Sequence, residues 1–140
     1  MATETALKHV VVVGGGFAGL GCARGLAGQR GVRVTLIDRN NFHQFQPLLY
    51  QVATSLLAPD DAAFSLRKLF LRSANVDVKQ AEVASVDPAR KAVTTATGEV
   101  YQGDYLVLAA GSQANFFRTP GADTNTFPLY SLNEIGRAHV

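Results

Sequence analysis

Only one cysteine, Cys22, occurs in the 140 residues, so no intrachain disulfide can form. It lies among Gly19, Leu20 and Ala23 in a stretch patterned as a helix, and it reads as small helix filler rather than a reactive thiol. Charge is also sparse. Charged residues make up 17%, the formal net charge is +2, and basic residues are scattered from Lys8 to Arg137 without a block, which excludes a nucleic-acid footprint. No apolar run is long enough to span a bilayer. The first strand begins by His9, which leaves no room for the basic and long apolar regions of a signal peptide, so the chain reads as soluble and cytosolic. There is no internal repeat, no low-complexity tract and no His/Cys/carboxylate cluster with metal-ligand spacing. His43, a lone histidine near Phe42 and Phe45, reads as a packed and hydrogen-bonded residue, not a ligand.

Against these absences, 47% of the residues are hydrophobic and the length suits one compact unit with a real core. The informative stretch is His9 to Gly19, HVVVVGGGFAG. Four consecutive valines, Val10 to Val13, run into Gly14, Gly16 and Gly19, the G-x-G-x-x-G spacing at the end of an apolar strand and the start of a helix. In such a turn the first glycine allows the tight bend, the second lets a pyrophosphate reach the main chain, and the third lets the helix lie close on the strand. The N–H groups at the helix start then face the anion.

From Phe17 to about Arg30 the pattern is helical, with Ala18, Cys22, Ala23 and Leu26 on one face. Gly28 to Gly31 ends the helix, and Val32 to Ile37 alternates as a second strand before Asp38. Asp38 falls 19 positions after Gly19, where a carboxylate accepts hydrogen bonds from an adenosine ribose. Strand, glycines, helix, strand and terminal acid together predict a dinucleotide site; a glycine turn in an unliganded α/β domain is the bland alternative.

Arg39 to Gln46 is polar and aromatic, and Pro47 introduces LLYQVATSLLAP, either an ordinary covering loop with a short helix or the lining of a site. Asp60 and Asp61 read as the cap of a helix through AAFSLRKLF, with Ala63, Leu66, Leu69 and Phe70 on one face and Arg67, Lys68 and Arg72 near its far end. Asn75 to Lys79 predicts a third parallel strand. Ala81–Val86, Lys91–Thr95 and Val100–Gln102, separated by turns at Asp87-Pro88 and Thr97-Gly98, predict an antiparallel meander. Tyr105 to Ala110 is apolar on both faces and is expected in the middle of the parallel sheet, with Ala110 and Gly111 on the rim that carries the Gly14 turn. The expected fold class is α/β, a Rossmann-like parallel sheet with an antiparallel meander.

This order of elements resembles the FAD domain of the two-dinucleotide-domain flavoprotein reductases. VVVGGGFAGL, FHQFQPLLYQVAT, YLVLAAGSQANFF and TPGA are similar to the type II NADH dehydrogenases, the single-subunit NADH:quinone oxidoreductases, and FQPLLYQVAT is the most specific of these pieces. The resemblance implies FAD as cofactor, with Gly14, Gly16, Ala18 and Gly19 at its pyrophosphate, Asp38 at the adenosine ribose and Arg39 near the adenine end. It also implies the Val83 backbone at the adenine, Gln46 and Pro47 near the flavin ring, and Ala110 and Gly111 beside the pyrophosphate. Ser55, where the family often has Gly, and AAFSLR, where it has I-A-x-P-x-R, depart from the pattern in the covering segment.

The resemblance further implies hydride transfer from NADH to FAD and two electrons onward to a membrane quinone, with no catalytic side chain and no metal. The family's second GxGxxG, quinone-pocket segments and membrane-associating helices do not occur in these 140 residues. The chain is therefore expected to be the amino-terminal FAD-binding part, residues 1–133, of a longer reductase. The parent would lie in the cytoplasm on the inner face of the cell membrane, with NADH and quinone engaged through other segments; a homodimer stays open. By itself the chain is expected to bind FAD weakly at most and to show no turnover. Residues 134–140, EIGRAHV, match the conceptual translation of a common sequencing adapter and are expected to be a non-native scar; an ordinary linker helix is the alternative. Another FAD-dependent pyridine-nucleotide or sulfide:quinone reductase, and a stand-alone dinucleotide-binding module, are the competing readings.

Overall fold

A computed structural model describes the backbone of residues 6–138. The chain divides into two compact units where its length suggests one: Met1–His43 with Ser65–Gly111, and Gln44–Phe64 with Ser112–Val140. In the first unit the elements are β1 (Lys8–Val13), α1 (Phe17–Leu26), β2 (Val32–Asp38) and the start of β3 (Phe42–Gln44). After β4 (Ala63–Ser65) come α3 (Leu66–Leu69), β5 (Val76–Gln80), β6 (Val83–Asp87), β7 (Ala92–Thr95), β8 (Val100–Gln102) and β9 (Tyr105–Leu108). The second unit holds α2 (Leu49–Ala53), α4 (Ala122–Asn125) and α5 (Leu132–Ala138). No described helix is long and apolar enough to cross a membrane.

The valine run explains the first unit. Successive side chains of a strand point to opposite faces, and both faces of this sheet are covered. Val10 and Val12 join Val34, Leu36, Leu20, Ala23 and Leu66 in one cluster, while Val11 and Val13 join Ile37 and the meander residue Val93 in another. A strand buried on both sides has no polar face to show, so its sequence is continuous rather than alternating. The parallel sheet runs β5-β2-β1-β9, and β6-β7-β8 form the antiparallel meander that the turn spacing predicts.

Four local expectations need correction. First, α1 ends at Leu26, not near Arg30, because Ala27 is already extended (φ −62°, ψ 129°). Asn75 holds that exit: its amide donates to the carbonyls of Leu26 (2.9 Å) and Val32 (3.2 Å), and its Oδ1 accepts from Gly28 N (2.8 Å). Second, the buried face of α1 is Gly19, Leu20 and Ala23; Ala18 is exposed. Third, Ala63–Ser65 is a strand, and only Leu66–Leu69 is helical. Ser65 caps that helix by accepting from Lys68 N (3.4 Å), whereas Asp61 closes a separate 3₁₀ turn at Pro59–Ala62 by accepting from Ala58 N (3.0 Å). Leu66 and Phe70 are buried as the pattern predicts, but Leu69 is exposed.

Fourth, among the described residues β9 pairs only with β1 in the sheet order and forms its edge, with Tyr105 and Leu108 exposed. Apolar composition reports cover above and below a strand. It says nothing about neighbours to the side.

In the second unit Leu49, Val52, Ala62 and Ile135 form a small core. The Gln44 amide ties its segments, donating to Tyr130 O (3.0 Å) and accepting from Leu132 N (2.8 Å). Of the EIGRAHV stretch, Glu134 to Ala138 lie in α5, and His139 and Val140 fall outside the described residues. A cavity of about 430 Å³, lined by Val52, Leu57, Pro59, Leu132, Ile135 and neighbours, contains no titratable side chain.

Candidate functional site

The carboxyl ends of the parallel strands converge on one rim. Val13 lies opposite Ile37 and Leu108, and the ladder continues beyond it: Gly14 N donates to Ile37 O (2.7 Å) and Ala109 N donates to Val13 O (2.8 Å). Such rims are where open α/β sheets bind ligands.

Two of the three motif glycines are compelled by backbone. A Cβ on Gly14 would stand 2.2 Å from the carbonyl oxygen of Ala109, and its φ of +103° excludes an ordinary side chain as well. A Cβ on Gly19 would stand 1.7 Å from Gly14 O, so α1 lies directly on the turn. Gly16, in contrast, would meet nothing within 4 Å, which leaves its surface open. Gly16 is also the N-cap of α1, with no side-chain cap and no acidic residue in the first turn. The positive end of the helix therefore meets no protein carboxylate from its own sequence.

Asp38 ends β2 beside this turn. Its Oδ2 accepts from Gly15 N and its Oδ1 from Asn40 N, each at 2.6 Å. A carboxylate has about four lone-pair positions, so two backbone donors leave capacity for further hydroxyls. The Asp38 carbonyl accepts from Ala81 N (2.9 Å), which leads the chain into the meander. His43 is buried, its Nδ1 is 2.9 Å from Gly15 O, and the ring meets Phe17 edge-on with centroids 5.1 Å apart.

The first unit thus brings together Gly14, Gly16, Gly19 and Asp38, with Ala110 N lying 3.1 Å from where a Gly14 Cβ would stand and Gly111 next to it in the chain. Ala18 is on the exposed side of α1's first turn, Arg39 is exposed with its carbonyl held by the Gln80 amide (3.4 Å), and Val83 is half-buried at the start of β6. Gln46 and Pro47 belong to the second unit, where they open a 3₁₀ turn. The engagement of Gly15 by two side chains is the feature that motif spacing could not reveal. Only Asp38 carries a motif signal; the His43 bond depends on the path of the chain after β2.

The shifted titrations lie elsewhere. At the amino ends of β1 and β9, Asp104 accepts from His9 N (2.8 Å) and from Lys8 Nζ (3.0 Å), and these two bonds, in that order, hold its carboxyl below the usual range. The same pairing raises Lys8, and a bond to Asp77 raises Lys79.

The profile of the pyridine nucleotide-disulphide oxidoreductase family matches residues 8–138. A type II NADH:quinone oxidoreductase, NdhA, of Mycobacterium tuberculosis is 40% identical over 112 residues, covering 78% of this chain and 24% of that protein. The type II NADH:quinone oxidoreductase of Haemophilus influenzae is 33% identical, covering 94% of this chain and 33% of that protein. Among solved structures, the sulfide:quinone oxidoreductase of Aquifex aeolicus superposes with a TM-score of 0.80 at 28% identity, covering 94% of this chain and 32% of that one. The chain spans about a quarter to a third of the length of these curated relatives. With the family profile running through nearly all of it, the chain belongs to the pyridine nucleotide-disulphide oxidoreductase family.

Proposed function

We propose that the chain is the FAD-binding part of an NADH:quinone oxidoreductase. The observation that carries this reading is the rim itself: two glycines pressed against backbone, an open third glycine at an uncapped helix start, and a carboxylate with spare acceptor capacity beside them. These features fit a dinucleotide pyrophosphate and its ribose. When bound, FAD supplies the redox chemistry, taking a hydride from NADH and passing two electrons to a quinone, which with two protons becomes a quinol.

The residues of this chain bind and orient. Gly14, Gly16, Ala18 and Gly19 would present main chain to the pyrophosphate, and Ala110 and Gly111 would close its other side. Asp38 would accept from the ribose hydroxyls, with Arg39 and the Val83 backbone toward the adenine. Gln46 and Pro47 would serve the flavin ring. No side chain is assigned a proton transfer. NADH and the quinone are assigned to the parent reductase, as the names of the type II relatives support, and the inner membrane surface is assigned to it as part of the same proposal.

A sulfide:quinone reductase is the nearest competing enzyme, given the Aquifex aeolicus neighbour. The lone cysteine, Cys22, lies half-buried within α1 and packs against the core, which favours the NADH reading. Titration of the purified chain with FAD and, separately, with NAD tests the cofactor: weak binding of FAD, read at equilibrium from a change in flavin fluorescence and tighter than that of NAD, is the expected result. Preference for NAD would overturn it in favour of a stand-alone nucleotide module. A second GxGxxG encoded after Leu132 in the parent gene is the expected sign of the NADH domain.

A further inference from the structure

Gly14, Gly15 and Gly16 are three consecutive residues without a Cβ, the backbone with the most conformational freedom to lose. A turn that binds an anion through its N–H groups gains affinity when those groups are aimed beforehand. Something other than the glycines must hold the turn. Gly15 cannot be stiffened by a side chain of its own, because a Cβ there would lie 2.6 Å from Leu66 Cδ1 and 3.3 Å from Asp38 Oδ2.

Two hydrogen bonds do the holding, one on each peptide that flanks Gly15. Asp38 Oδ2 accepts from Gly15 N (2.6 Å), and the carbonyl of that same peptide, Gly14 O, faces Gly19. His43 engages the next peptide through Gly15 O (2.9 Å). A carbonyl oxygen only accepts, so His43 carries its proton on Nδ1, and in the neutral ring Nε2 is then bare. In a planar trans peptide the C=O and N–H point in opposite directions. A Gly15 carbonyl turned toward His43 therefore turns Gly16 N–H away from it. The ring itself has little freedom, being buried and set edge-on against Phe17 at an interplanar angle of 86°.

We propose that His43 is a positioning residue of the phosphate-binding turn, fixing the Gly15–Gly16 peptide so that Gly16 N–H faces the pyrophosphate. Its ligand readout rests on the FAD reading above; its tautomer and backbone readouts do not. The experiment compares the ¹⁵N-labelled chain with His43→Leu, which removes the donor, and His43→Asn, whose amide nitrogen can take the place of Nδ1. In the parent chain, in mildly alkaline buffer, long-range ¹H–¹⁵N spectra are expected to show His43 protonated at Nδ1 and bare at Nε2. His43→Leu is expected to shift the Gly15 and Gly16 amide resonances while leaving Val93 in place, and to weaken FAD binding about tenfold, the effect of one lost hydrogen bond. His43→Asn is expected to recover most of that affinity.

A ring protonated at Nε2, a Leu variant that binds FAD as tightly as the parent, or an Asn variant as weak as the Leu one would each overturn the proposal. If the parent chain takes no FAD, the cofactor reading fails, and the Nδ1 proton with the Gly16 shift still decides the clamp. If His43→Leu does not fold, the tautomer of the parent and the affinity of His43→Asn decide it.

Discussion

Replacing Gly19 and Gly21 with alanine, one at a time, separates helix propensity from the close approach of α1 to the turn. Both glycines lie within α1, two residues apart. Alanine is better than glycine in a helix interior by about 0.8–1 kcal/mol, so propensity alone predicts that both variants gain stability. Gly21 is exposed and a Cβ there meets nothing within 4 Å, so Gly21→Ala should keep that gain. At Gly19 the same Cβ stands 1.7 Å from Gly14 O and 2.9 Å from Gly14 C. Both are main-chain atoms, so no side chain can swing aside. Relief to even 3.0 Å requires roughly 1.3 Å of helix displacement, across a core in which Leu20 and Ala23 are buried. Overpacking costs about 1–3 kcal/mol and occasionally more, and this contact belongs at the upper end. The net loss for Gly19→Ala is about 2 kcal/mol, which puts the two variants about 3 kcal/mol apart. Urea denaturation followed by circular dichroism would report this as midpoints separated by roughly 1.5 M, for a slope of about 2 kcal/mol/M. Equal midpoints, or a more stable Gly19→Ala, would refute the close packing of helix on turn.

Asp38→Asn keeps the shape but can retain only one of the two bonds at 2.6 Å, since its NH₂ would face a backbone donor; a loss of about 2 kcal/mol in urea and a clear fall in FAD affinity are expected. Ser65→Ala should cost about 0.5–1 kcal/mol through the lost cap of α3, while Asp60→Asn should leave that helix unchanged, as backbone amide exchange at Lys68 would report. Asp104 has a depressed carboxyl in the folded chain, so its stabilisation is present above the ordinary carboxylate pKa near about 4 and is lost as pH falls through the folded value. Lys8 has the opposite sign: its contribution is present below about 10.4 and fades as pH rises through its raised folded value. Asp104→Asn should flatten the urea midpoint against pH at both ends.

The glycines, Asp38 and the strands around them were legible because each is specified by a local rule: backbone that must approach backbone, a carboxylate at a fixed distance from the turn, valines on a strand covered twice. The α3 region was not. Ala63, Leu66, Leu69 and Phe70 have helical spacing, yet Ala63–Ser65 is extended and the helix begins only where Ser65 can cap it. Four apolar positions cannot distinguish one long helix from a strand followed by a single turn. Asn75 escaped notice for a different reason. It reads as the first residue of a strand, whereas its amide joins the end of α1 to the start of β2, a role set by chain segments more than forty residues away. The edge position of β9 was equally hidden, because hydrophobic pattern encodes faces and lateral neighbours are a matter of topology.

Asp38 and His43 meet the same residue from two sides, and on the FAD reading proposed above this joins the ribose end and the phosphate end of the site into one structure. Gly15 N–H is held by Asp38 at 2.6 Å and Gly15 C=O by His43 at 2.9 Å. With both anchors present, the two peptides on either side of Gly15 have one orientation each. With either removed, a glycine regains rotation about both of its soft dihedrals, and the remaining anchor then holds only one plane of a turn that is already loose. The second removal should therefore cost less than it would in the parent chain. Groups that share a partner in this way couple by about 0.5–3 kcal/mol. The combined Asp38→Asn, His43→Leu variant should accordingly lose less stability in urea than the sum of its two single variants. Strict additivity would mean that each bond fixes its own peptide independently, and that the turn owes its shape to Gly14 and Gly19 pressing on the backbone rather than to the clamp at Gly15.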